Sequence, residues 1–214
     1  LIRGQYGGGE IDGKSVRAYR DEQGVARDSA TETFVALRTY IDNWRWSGVP
    51  FYLATGKRLK TRLTEVAIEF KEVPDVLFHA ARDEGLETNL LKLRIQPDES
   101  VSMRIITKAP GMHMALQPAV MDFPYASRIG PASPEAYERL LLDAMAGNAT
   151  LFTRRDEIEV AWQFVEPILR HWQEQPPPDF PNYEAGTWGP ISGDEFFRED
   201  TCYSPSHEHR PGTE

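Results

Sequence analysis

The sequence predicts an α+β protein, a large antiparallel-rich mixed sheet with helices packed on one face. Three observations predict it. Short runs of alternating apolar and polar residues recur up to about residue 125, a hairpin turn joins two of them, and helical periodicity takes over only after residue 133. Strands followed by helices, without alternating strand–helix–strand units, mark an antiparallel-rich α+β domain.

Residues 1–30 are polar and glycine-rich, with Gly7-Gly8-Gly9 and Gly13, and read as a lead-in segment or long loop. From Thr33 to Ile41 β-branched and aromatic residues dominate, with Val35, Leu37, Thr39 and Ile41 on one face of a strand. Trp44 and Trp46 precede Gly48 and Pro50, which turn the chain into a short strand at Phe51–Ala54. Val66, Ile68 and Phe70 then alternate with Glu65, Ala67 and Glu69, and Leu91, Leu93 and Ile95 with Lys92, Arg94 and Gln96. Pro97-Asp98-Glu99 suits a tight reversal into Val101–Lys108, so residues 88–108 read as an antiparallel hairpin. A further strand is expected near Val120–Tyr125.

Ser133 as N-cap with Pro134 at the first helical position opens a helix that ends at Gly147. A second helix, about residues 156–173, carries Ile158, Trp162, Val165, Leu169 and Trp172 at spacings of three and four, a stripe expected in the core. Pro167 is expected to kink it, and Pro176-Pro177-Pro178 to stop it. The Gly-, Pro- and acid-rich remainder is expected to cover the surface or fray.

The 214 residues are 40% hydrophobic and 27% charged, ordinary for a globular protein with a sizeable core. With 24 Lys and Arg against 33 Asp and Glu, the net charge of −9 argues against non-specific binding to nucleic acid or anionic membrane. No apolar run approaches the ~18 residues that span a bilayer, and Leu1-Ile2-Arg3-Gly4 lacks signal-peptide architecture. Cys202 is the single cysteine, so an intrachain disulfide or cysteine-based zinc site is excluded and a cytoplasmic setting is expected. A first residue other than Met suggests that an upstream part was removed.

Against that acidic background, Lys57, Arg58, Lys60 and Arg62 place four cations in six residues after a strand-like run and Thr55-Gly56. Side-chain and backbone donors there could converge on a phosphate or polyhydroxy ligand; the alternative is a solvated basic loop. There is no Gly-x-Gly-x-x-Gly after a strand, no P-loop, no His-Glu-x-x-His and no Gly-x-Ser-x-Gly. His79 and His113 have no identified partner, and His207-Glu208-His209 reads as part of a solvated tail. Neither a catalytic base nor a metal site is expected.

Several segments in order resemble the C-terminal part of the glucose-6-phosphate dehydrogenases over residues 3–190. They are Arg3-Gly4-Gln5-Tyr6, Thr33-Phe34, Trp44-Arg45-Trp46-Ser47-Gly48-Val49-Pro50-Phe51, Thr55-Gly56-Lys57 and Arg94-Ile95-Gln96-Pro97-Asp98-Glu99. Lys108-Ala109-Pro110-Gly111, Pro134-Glu135-Ala136-Tyr137-Glu138-Arg139-Leu140 and Asp156-Glu157 before Ala161-Trp162 continue the set. The resemblance implies an enzyme that oxidises glucose 6-phosphate at C1 and passes hydride to NADP, between a Rossmann domain and an α+β domain whose sheet forms the dimer interface. Residues 1–200 would be part of that second domain and 201–214 a disordered tail.

It further implies that Lys57, Arg62 and Gln96 contact the sugar phosphate, while the Rossmann glycines and the catalytic histidine lie upstream, so that this chain alone is inactive. Arg94 is equally consistent with a structural ion pair. Some members hold a second, structural NADP with basic residues of this domain. Here Ala54, Leu63, Ala67 and Trp188 stand where those members have cations, and only Arg94 and Arg104, with Asp122, remain as cofactor-binding candidates. The implied partners are glucose 6-phosphate and further copies of the chain, as a homodimer or tetramer formed through the sheet. A non-catalytic homologue acting as an assembly or regulatory module is the alternative.

Overall fold

The computed structural model describes residues 1–71, 88–113, 115–125, 136–190 and 196. The expected N-cap at Ser133, the tail from 201, His79, Cys202 and His207-Glu208-His209 lie outside the described residues. The chain divides into two compact units, Leu1–Arg128 with Pro178–Glu214, and Ile129–Pro177.

In the first unit the alternating runs form strands as expected. β7 (Thr64–Glu69), β8 (Leu90–Gln96), β9 (Ser100–Lys108) and β10 (Leu116–Pro124) make an antiparallel sheet in the order β10-β9-β8-β7. The register sets Val66 opposite Leu93, Leu91 opposite Met103 and Met103 opposite Met121, so one face is apolar until the Thr107–Gln117 pair at its end. That face stays open to solvent, with Val66 44%, Ile95 50% and Met121 53% exposed. On the other face Glu65 lies opposite Arg94, Arg94 opposite Ser100, and Lys92 and Asp122 flank Ser102. The β8–β9 reversal runs through Pro97-Asp98-Glu99, with Asp98 at φ 55°.

The strand expected at 33–41 is β5 (Phe34–Tyr40), which lies between β1 (Ile2–Gly4) and β6 (Pro50–Gly56) in a separate antiparallel sheet. Expected in one sheet, 33–41 and 88–108 thus fall into two, because β5 finds its partners in the N-terminal strand and in β6. The side chains buried from β5 are Phe34 and Ala36, on the face opposite Val35 and Leu37.

The first thirty residues are not a loop. They supply β1, β2 (Tyr6–Gly7), β3 (Gly9–Ile11), β4 (Lys14–Val16) and a 3-10 turn at Tyr19–Asp21. Nor does the Gly- and Pro-rich segment near residue 185 merely cover the surface. Its strand β11 (Tyr183–Glu184) pairs in parallel with β2, and Tyr183 and Ala185 join Tyr6, Phe34 and Ala36 in the core. Turn-forming composition misled here because backbone groups of the segment bond to Gln5, Gly7 and Arg58 while its aromatic residues carry the apolar load.

Close backbone approach explains the glycines. A Cβ on Gly9 would stand 2.2 Å from the Ala185 carbonyl oxygen, and Gly189, at φ 110°, lies flat against the Phe34 ring, where a Cβ would come within 2.6 Å of Cε2.

The second unit carries α1 (Ala136–Met145) and α2 (Arg155–Glu174). Glu157 accepts from the Arg154 N–H at 3.2 Å, closing the start of α2, and the helix continues past Pro167. Its apolar stripe is not core, contrary to expectation, since α2 has no buried residue and Trp162 is 56% exposed. Periodicity selects the face of a helix that requires cover and says nothing of what covers it. Among the described residues no helix is long and apolar enough to cross a membrane, and no cluster of His, Cys, Asp or Glu could hold a metal ion.

Gly9→Ala should lower the free energy of unfolding by about 1–3 kcal/mol, because its methyl meets backbone rather than a movable side chain. Gly8→Ala, whose Cβ meets nothing nearer than 3.6 Å, serves as the control. Urea unfolding followed by tyrosine and tryptophan fluorescence measures both.

Candidate functional site

β6 runs through Thr55 and Gly56, and the cationic turn begins only at Lys57. Its backbone is tied down on every side. The Lys57 N–H donates to Thr33 O, the Tyr183 hydroxyl donates to Lys57 O, the Gly186 N–H donates to Arg58 O, and the Lys60 N–H donates to Thr187 O, all at 2.8 Å. Arg58 takes a left-handed conformation at φ 53°. The expected convergence of backbone donors on a ligand is therefore absent at Lys57 and Lys60, whose N–H groups are already used, and only side chains remain to bind.

Those side chains divide. Arg58 is held structurally by Glu22 at 3.3 Å, and Glu22 also accepts from the Tyr6 hydroxyl at 3.4 Å. Lys57 and Arg62 are exposed, and among the described residues their charged ends make no hydrogen bond or ion pair. Gln96, also exposed, ends β8 opposite Thr64, two residues past Arg62. Arg62 and Gln96 thus share one end of the four-stranded sheet, and Lys57 begins the loop that leads to it. Two free cations and an amide suit a dianionic, hydroxyl-rich ligand.

Arg94 and Arg104 occupy the polar face of that sheet. Arg94 donates to Glu65 through Nε and Nη2 at 3.4 and 3.3 Å, the structural ion pair being the reading this geometry favours, and Arg104 donates to the Thr88 carbonyl at 3.4 Å. A cavity of about 110 Å³ lies here, lined by Glu65, Lys92, Arg94, Ser100, Ser102 and Asp122. Two carboxylates against two cations leave no net positive charge for a phosphate, and the volume falls below the ~300–1,000 Å³ of typical cofactor pockets. The residues present do not fit a dinucleotide.

Sequence reasoning missed the groups that hold the turn. Thr33, Tyr183, Gly186 and Thr187 come from distant segments, and nothing in their spacing relates them to Lys57. The one signal was an aromatic residue set among turn formers, which invites a burial that a loop would not supply.

Comparison with known proteins bears on what this turn belongs to. The family description "Glucose-6-phosphate dehydrogenase, C-terminal domain" matches residues 1–205. Glucose-6-phosphate 1-dehydrogenase of Aggregatibacter actinomycetemcomitans is 50% identical over 196 residues, 92% of this chain and 38% of that protein. The Chlamydia pneumoniae protein of the same name is 46% identical over 202 residues, covering 94% and 40%. A solved glucose-6-phosphate dehydrogenase in complex with its substrate glucose-6-phosphate superposes with a TM-score of 0.79 at 34% identity, over 91% of this chain and 39% of that one. The chain spans about two fifths of the length of these curated relatives. A match over nearly the whole chain, in sequence and in fold, places it in a family: this chain belongs to the glucose-6-phosphate dehydrogenases, as their C-terminal domain.

Proposed function

We propose that this chain is the sugar-phosphate-binding and oligomer-forming part of an NADP-dependent glucose-6-phosphate 1-dehydrogenase of the cytoplasm, which oxidises glucose 6-phosphate to 6-phosphogluconolactone in the first step of the pentose phosphate pathway. The observation that carries this reading is Lys57, a solvent-facing ammonium on a backbone bonded at each peptide around it. Lys57 ion-pairs with the phosphate, Arg62 adds a second cation, and Gln96 hydrogen-bonds the ligand from the end of β8. Fixing the phosphate orients C1 at a distance, so binding energy far from the reacting carbon contributes to the rate. NADP accepts the hydride and is bound mainly outside this chain, whose sequence has no glycine cradle for it; the general base lies outside as well. The chain alone is inactive.

The open apolar face of the four-stranded sheet supports the oligomer, since such a face on an isolated chain requires cover. A second copy related by a two-fold axis is the proposed cover, giving a dimer that further pairing would make a tetramer. Light scattering of the full-length protein at micromolar concentration should give twice or four times the protomer mass, and a monomer would contradict the proposal.

In the full-length protein, Lys57→Ala should lower kcat/KM for glucose 6-phosphate roughly 10- to 150-fold, the loss of one charge-assisted hydrogen bond of about 1.5–3 kcal/mol. The KM for NADP should stay within twofold. Steady-state kinetics in both substrates decides, and a kcat/KM within twofold of wild type would make Lys57 a solvated loop residue.

A structural NADP on the polar sheet face is not part of the proposal, because Arg94 is engaged by Glu65 and Asp122 lines the same cavity. Millimolar NADP at fixed ionic strength should therefore leave the melting temperature of this chain unchanged within about a degree, whereas a ligand at a hundred times its Kd would add about 2.7 kcal/mol and raise it by several degrees. A rise of several degrees that vanishes in Arg94→Ala/Arg104→Ala would overturn this.

A further inference from the structure

We propose that Tyr183 is a positioning residue for sugar-phosphate binding: its hydroxyl, brought from 126 residues away, holds the peptide at Lys57 and so sets where the ammonium is presented. The inference rests on the reading of Lys57 given above.

Proton bookkeeping supports it. The Tyr183 oxygen lies 2.8 Å from Lys57 O, 3.2 Å from Thr33 O and 2.9 Å from Thr33 Oγ1. A phenol has one proton to give, and the nearer carbonyl, that of Lys57, takes it. The Thr33 hydroxyl then donates to the Tyr183 oxygen, while Thr33 Oγ1 accepts from the Tyr6 N–H at 3.0 Å. The result is a directed chain from Tyr6 N–H through Thr33 and Tyr183 to the Lys57 carbonyl. Thr33 closes it, since its own carbonyl accepts from the Lys57 N–H at 2.8 Å. Both sides of Lys57 are thereby fixed by one pair of side chain and strand.

Burial raises the Tyr183 pKa above its usual value, which keeps the phenol a neutral donor throughout the working range of pH. The ring has a separate task. It stacks edge-on against Phe34 at 5.8 Å and Tyr6 at 6.4 Å, contacts that a phenylalanine would retain. Removing the hydroxyl alone should leave the core in place and loosen the peptide at Lys57, at the cost of the two neutral hydrogen bonds it makes, to Lys57 O and from the Thr33 hydroxyl.

The test is kinetics of the full-length protein with Tyr183→Phe, Lys57→Ala and the double variant, below the melting temperature of each. Tyr183→Phe should raise the KM for glucose 6-phosphate about three- to tenfold, leaving kcat and the KM for NADP within twofold. In the Lys57→Ala background the same substitution should have no further effect, because the ammonium it positions is gone. An unchanged KM in Tyr183→Phe, or an equal loss with and without Lys57, overturns the inference. Should Tyr183→Phe fail to fold, Thr33→Val, which keeps the ring and removes the hydroxyl that orients Tyr183, should raise the same KM, and a wild-type KM would again overturn it. If Lys57→Ala itself leaves kcat/KM unchanged, the substrate reading falls and the inference with it; a silent Tyr183→Phe beside a crippled Lys57→Ala overturns the inference alone.

Discussion

The structure of the first unit depends on the junction of Thr33 with Tyr183. Thr33 is 8% exposed and meets four partners from three separate stretches of chain, through its carbonyl, its N–H and its hydroxyl: Gly4, Tyr6, Lys57 and Tyr183. Around it Phe34, Tyr6 and Tyr183 exclude water, so each bond is made where the alternative is an unsatisfied buried group. That is why the cationic turn has so little freedom. The aromatic cluster and the polar junction are mutually dependent, since the rings dry the site and the hydrogen bonds set the rings' spacing.

The four-stranded sheet shows how strict alternation divides labour between two faces. One face collects Val, Ile, Leu, Met and Phe, the other Glu65, Lys92, Arg94, Ser102 and Asp122. Charges on the polar face satisfy one another, as in the Arg94–Glu65 pair, whereas the cations at its end do not. The cavity on that face, with two carboxylates against two cations, does not compete with the turn for a phosphate. Lys57 and Arg62 make a local excess of positive charge on a chain whose net charge is −9.

Much of this was legible in the sequence. Strands β5 to β10, the hairpin reversal at Pro97-Asp98 and both helices follow from period and punctuation, because their side chains alternate or recur against a solvated face. The exposed cations Lys57 and Arg62 were visible as a local excess of charge. What could not be read was pairing at long range. The N-terminal strands are too short to show a period, and Tyr183 sits among residues that ordinarily make surface turns. The stripe on α2 misled for a related reason, as amphipathicity is a property of one segment and burial a property of two. The candidate site was half visible, since charge is local while the groups that fix its backbone are not.

The parallel pairing of β2 with β11 has a consequence for how this unit comes into being. The Gln5 N–H donates to Asn182 Oδ1 at 2.9 Å across 177 residues, so β2 waits for β11, the most C-terminal of the described strands. Until residues 180–189 have left the ribosome, Phe34 and Tyr6 lack the ring that closes over them, and the Lys57 turn lacks its clamp. Contacts of such sequence separation form late and slowly. A truncation before Tyr183 would therefore leave Tyr6 and Phe34 without that ring and unclamp a turn 126 residues upstream.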